Sequence, residues 1–186
     1  MPKNSDLAEL VDFYLQKYGG FEKSFIGLST TIDYVCGKDN RDHKPGEKYK
    51  KNWHQRRLTN ETIECMAQKL DALNLEEREI RDFESLIELV RKPSINFFKH
   101  TNSYDFAFRY GLNHEILPEK YVYIHSGAKQ GAEVLRNAGF VEFSSNENRI
   151  PIESFPLELR KLSAYDLENF LCVMKKQLEY LKPNGK

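Results

Sequence analysis

The chain has 186 residues, 40% hydrophobic and 30% charged, with 28 Lys plus Arg balanced by 28 Asp plus Glu. This length suits one domain at roughly 100–200 residues each and is enough to bury a core, and 12 Phe, 10 Tyr and the single Trp53 argue against intrinsic disorder. The neutral total names no partner, no apolar run reaches the ~18 residues that cross a bilayer, and the polar start MPKNSD does not read as a signal peptide.

Cys36, Cys65 and Cys172 are odd in number, widely spaced and without a Cys-x-x-Cys pair. That pattern points away from a disulfide scaffold or a cysteine zinc site and toward a reducing, cytoplasmic setting. The expectation is a single globular domain over residues 1–186, with no membrane partner, no metal and no cofactor.

In chain order, Ser5 or Asp6 caps a first helix running to Tyr18, with Leu7, Leu10, Val11, Tyr14 and Leu15 on one face. Gly19-Gly20 is its stop, through a left-handed glycine. Phe21 to Val35 carries Phe25, Leu28, Ile32 and Val35 at helical spacing, but Ser29-Thr30-Thr31 lowers helix propensity and leaves a strand open. Residues 37–57, GKDNRDHKPGEKYKKNWHQRR, hold eight Lys or Arg against three acids and almost no aliphatic residue. By composition this is a loop, and its net charge of +5 is hidden by the neutral whole.

Thr59-Asn60-Glu61-Thr62 reads as a capped helix start, followed by an Ile63, Met66, Ala67, Leu70 stripe. A break at Asn74 precedes a second helix on Ile80, Phe83, Leu86, Ile87 and Val90, ended by Pro93. Around 104–112 a short helix ends at Gly111. Tyr121 to Ile124 is aromatic and β-branched, a strand. Ser126 to Ala138 is a helix with Ala132, Leu135 and Ala138 inward and Gly139 as its stop. Val141-Glu142-Phe143 and Arg149-Ile150-Pro151-Ile152 are short apolar pieces suited to pairing, with Pro151 confining the second to an edge. Ser163 caps a terminal helix over 163–182 that buries Leu167, Phe170, Leu171, Met174 and Leu178. The fold class is mainly α (α+β): a compact helical domain with a small strand-containing element near residues 121–152.

Two segments have chemistry to offer. In the first, Lys38, Arg41, Lys44, Lys48, Lys50, Lys51, Arg56 and Arg57 attract phosphates whatever the base sequence, while Tyr49 and Trp53 offer ring faces for unpaired bases. The bland alternative is a solvated loop paired with acids such as Glu76, Glu77 and Glu79. His43 and His54 lie in the same loop, where the surrounding positive charge repels a cation. In the second, the strand at 121–124 runs into Ser126-Gly127-Ala128-Lys129-Gln130-Gly131-Ala132. A helix start with small residues presents free N–H groups to an anion, and Lys129 adds a charge. Its bland alternative is tight packing of small residues. Cys65 and Cys172 sit in apolar stripes and read as core, and His100, His114 and His125 as structural or solvated.

Two stretches together resemble the helix-hairpin-helix DNA glycosylases. Residues 58–92 are similar to that superfamily's paired helices, and Gly127 to Phe140 to the second half of its DNA-binding hairpin. Ile150-Pro151-Ile152-Glu153 is the nearest match to the apolar string that precedes its catalytic aspartate. The usual Pro-Gly-x-Gly stands here as His125-Ser126-Gly127-Ala128, and Glu153 replaces the aspartate. The resemblance implies that the Ser126 and Gly127 backbone holds a phosphate. It also implies that Lys129 attacks the sugar C1′ as an amine and that Glu153 supports the developing positive charge; an extruded base would need an aromatic pocket, for which Tyr104, Phe106 and Tyr110 are available. The reading is therefore a nucleic-acid-binding protein, DNA before RNA, with base-excision chemistry as its enzymatic form. A non-catalytic protein-interaction module and a nucleotide- or phosphometabolite-binding protein built on 121–135 are the alternatives. A parallel sheet with residue 126 at its carboxyl edge is the mark of the last.

Overall fold

A computed structural model describes residues 6–19, 58–92 and 100–181. Over these the protein is mainly helical, with a small two-stranded antiparallel sheet. The elements are α1 (Leu7–Tyr18), α2 (Asn60–Asp71), α3 (Phe83–Arg91), α4 (His100–His114), β1 (Tyr121–Tyr123), α5 (Ser126–Asn137), β2 (Arg149–Pro151), α6 (Ala164–Val173) and α7 (Lys175–Leu178). They fall into two compact units, one made of Met1–Phe21 with Pro118–Lys186 and the other of Glu22–Leu117.

In the first unit, Asp6 caps α1 by accepting the Glu9 N–H at 2.8 Å. Leu7, Leu10, Val11 and Tyr14 are buried as their spacing predicts, whereas Leu15 is 42% exposed and lies off the stripe. The helix does not end on a left-handed glycine: Gly19 leaves it in an extended conformation, φ −55° and ψ 134°.

β1 and β2 pair with Tyr121 opposite Pro151, Val122 opposite Ile150 and Tyr123 opposite Arg149. The Ile124 N–H donates to the Asn148 carbonyl at 2.8 Å and the Ile152 N–H to the Lys120 carbonyl at 3.0 Å, extending the ladder at both ends. The partner of 149–151 is thus the strand at 121–123. Val141-Glu142-Phe143, expected to pair with it, is irregular. Val122 and Ile150 face the core, and Arg149 lies over the Tyr121 ring on the other face.

α5 buries Ala128, Gly131, Ala132 and Leu135, one helical stripe. Gly139, at φ +78°, ends it: its N–H donates to the Arg136 carbonyl and the Phe140 N–H to the Leu135 carbonyl, a Schellman motif. Ala138, expected inward, is half-buried at the cap. Ser163 caps α6 by accepting the Asp166 N–H at 3.2 Å. The single terminal helix expected over 163–182 is broken at Met174, with φ −96° and ψ 2°, into α6 and α7. The break does not disturb the stripe, since Leu167, Phe170, Leu171, Met174 and Leu178 are all at most 1% exposed.

One buried polar link ties α1 to α6. The Tyr14 ring stands edge-on to Phe170, and the Asn169 amide donates to the Tyr14 hydroxyl at 2.9 Å. Burial pushes the Tyr14 phenol far above its ordinary range, and the nearby Asp166 and Glu168 carboxylates push the same way, against the Asn169 hydrogen bond. An acid whose folded pKa is raised stabilises the fold fully below its unfolded value, about 10 for tyrosine, and loses that contribution as pH rises above it. Wild-type protein is therefore expected to lose stability more steeply above about pH 10 than Tyr14→Phe. The variant also pays at neutral pH, where an unmet Asn169 amide costs about 1–3 kcal/mol. Thermal melts from pH 8 to 11 check both, and parallel curves for the two proteins overturn the pH assignment.

In the second unit, the Thr59 hydroxyl accepts the Thr62 N–H at 3.2 Å and starts α2 as expected. Asn74 takes a left-handed conformation, φ 46°, at the expected break, ahead of a short 3-10 turn at Leu75–Glu77. Asp82 caps α3, which buries Phe83, Leu86, Ile87 and Val90. α4 has 15 residues and passes through Gly111 instead of stopping there. Its end is a Schellman turn with Glu115 in the left-handed position, φ 58°, and the Ile116 N–H on the Gly111 carbonyl at 2.8 Å. α3 and α4 pack through the Phe83 and Tyr104 rings, which meet edge to face.

Candidate nucleic-acid interface

The basic segment lies outside the described residues, and with it Lys38, Arg41, Lys44, Lys48, Lys50, Lys51, Trp53, Arg56 and Arg57. Cys36, His43, His54 and the apolar stretch from Phe21 to Val35 lie outside them too. The second candidate, the start of α5, is described in full.

β1 runs through Ile124 and His125 into α5, so the strand-turn-helix expected from the sequence is formed. His125 is buried and extended, and its carbonyl accepts the Ala128 and Lys129 N–H groups at 2.8 and 3.3 Å. His125, at the N-cap, makes no side-chain capping hydrogen bond. Ser126 is exposed and sits at φ +34°, in the left-handed region. The Ser126 and Gly127 N–H groups belong to the helix's first turn, where no intrahelical acceptor precedes them. Helix polarity there favours an anion.

The glycines of this motif have a structural task. A Cβ on Gly127 would sit 2.5 Å from the Cys172 sulfur, and one on Gly131 would run into the Leu171 carbonyl oxygen, with its carbon 2.8 Å away. Small residues at 127, 128, 131 and 132 let α5 approach α6 closely. Packing thus accounts for the Gly-and-Ala composition of the motif, while the outward side of its first turn stays exposed at Ser126.

Lys129 is half-buried, and its ammonium donates to the Ser145 carbonyl at 2.6 Å, fastening the 144–147 turn to α5. At the next residue, the Gln130 side-chain oxygen accepts from the Lys175 ammonium at 2.9 Å. Glu153 is exposed in the 3-10 turn Ile152–Ser154 that follows β2. Among the described residues, Lys129 and Glu153 form no ion pair or hydrogen bond with each other. The element preceding the motif is the strand β1, as the sequence predicts.

Tyr104, Phe106 and Tyr110 are buried in the second unit. Tyr104 stacks on Phe108, Phe106 on Tyr110, and Tyr110 on His114 at 4.2 Å between ring centres. Those rings are committed to packing within α4 and with α3. Cys65 is exposed, contrary to the core position expected for it, because its place on α2 lies off the buried side marked by Leu70. Cys172 is half-buried; burial, reinforced by Glu168, pushes its thiol up and away from the reactive thiolate. His100 and His114 are exposed. Among the described residues no three His, Cys, Asp or Glu side chains come together as metal ligands, and no helix is long and apolar enough to cross a membrane.

β1 and β2 run antiparallel, whereas a nucleotide cradle of the kind considered above sits at the carboxyl edge of parallel strands. Sequence reasoning did not single out the Tyr14–Asn169 link or the positive φ of Ser126. The first joins residues 155 positions apart, and nothing local marks either. The chain matches no protein-family model, no curated protein and no solved structure.

Proposed function

We propose that the protein binds nucleic acid, DNA in preference to RNA, through its basic segment at residues 37–57. One observation carries this reading: eight Lys or Arg against three acids within 21 consecutive residues, interleaved with Tyr49 and Trp53, in a chain whose total charge is zero. Such a segment gains affinity by releasing the counterions condensed on phosphates, and aromatic faces between the charges add stacking on unpaired bases. The start of α5, where Ser126 is exposed and half-buried Gly127 follows, supports the reading as a second place able to take a phosphate oxygen, since first-turn N–H groups lack an intrahelical acceptor.

Affinity for duplex DNA should fall with salt, with a log–log slope of about −0.9 per phosphate neutralised. Replacing Lys48, Lys50, Lys51, Arg56 and Arg57 together by Ala should weaken binding at low salt and flatten the slope by up to about 4–5. Fluorescence anisotropy with a labelled duplex, and with an RNA of matching sequence, measures both affinity and preference. Unchanged affinity and slope in the five-residue variant sink the assignment of this segment as the binding surface.

A further inference from the structure

We draw no further inference here: the strongest candidate, the exposed turn where β1 runs into α5 with Ser126 at positive φ beside the buried His125, rests on a helix N-terminus and backbone strain, and no second group there points to a ligand.

Discussion

Gly131→Ala is expected to destabilise the first unit, reversing the sign that the same exchange has in an ordinary helix. Ala is favoured over Gly inside a helix by about 1 kcal/mol. At position 131 the added methyl points at the Leu171 carbonyl and would lie 2.8 Å from its carbon. The obstacle is backbone of α6, so no rotamer change can clear it, and the helices must move apart. Overpacking of this kind costs roughly 1–3 kcal/mol, occasionally more, and the rigid obstacle puts this site at the upper end. The net loss is then about 1–2 kcal/mol, read as a lower urea midpoint for the α5 amides in hydrogen exchange. Gly127→Ala makes the comparison sharper, since its obstacle is the Cys172 sulfur. Cys172→Ala should relieve the 127 variant and leave the 131 variant as it was, a coupling within the 0.5–3 kcal/mol seen for neighbours. A Gly131→Ala protein as stable as the parent would mean that α5 and α6 do not approach as described.

These two glycines also show where the sequence was legible and where it was not. Caps are local: Asp6, Thr59 and Ser163 each announce a helix within four residues, and all three accept the backbone N–H their type predicts. Apolar spacing is also local, which is why the stripes at 7–14, 83–90 and 167–178 are buried almost residue for residue. Glycine is ambiguous in one dimension. Gly139 ends a helix as expected, Gly111 does not, and Glu115 takes the left-handed place instead. Whether a small residue makes room for a phosphate or for a neighbouring helix depends on an element some forty residues away, and Cys172 and Leu171 supply the answer only in three dimensions. Strand partners fail for the same reason: 141–143 and 121–123 are both apolar, and only tertiary packing assigns 149–151 to the second. Of the candidate site, charge and residue type were readable throughout, and the sequence-distant bonds of Lys129 to Ser145 and Lys175 to Gln130 were not.

Removing everything after Lys161 is expected to abolish the native state of the first unit instead of trimming it. The deleted part contains Leu167, Phe170, Leu171, Met174 and Leu178, each at most 1% exposed. Full burial of one such side chain is worth about 1.5–3 kcal/mol, so the five together stand on the order of 10 kcal/mol. Net domain stability is typically only about 5–15 kcal/mol. The loss also strips the neighbours of this segment. α5 loses the surface on which its small-residue stripe closes, and Tyr14 of α1 loses the Phe170 edge and the Asn169 hydrogen bond together. What remains of the unit has an apolar helix face and a two-stranded sheet without a cover, and a lone pair of strands is marginal in water. The truncated chain should be insoluble, or molten with helical far-UV signal and no protected amides over residues 126–137. Phe170→Ala is the graded version, expected to cost about 3–5 kcal/mol while leaving the chain complete. A truncated protein that stays monomeric and keeps parent-like protection in α5 would show α6 and α7 to be an appendage, and a mild effect of Phe170→Ala would say the same without relying on solubility.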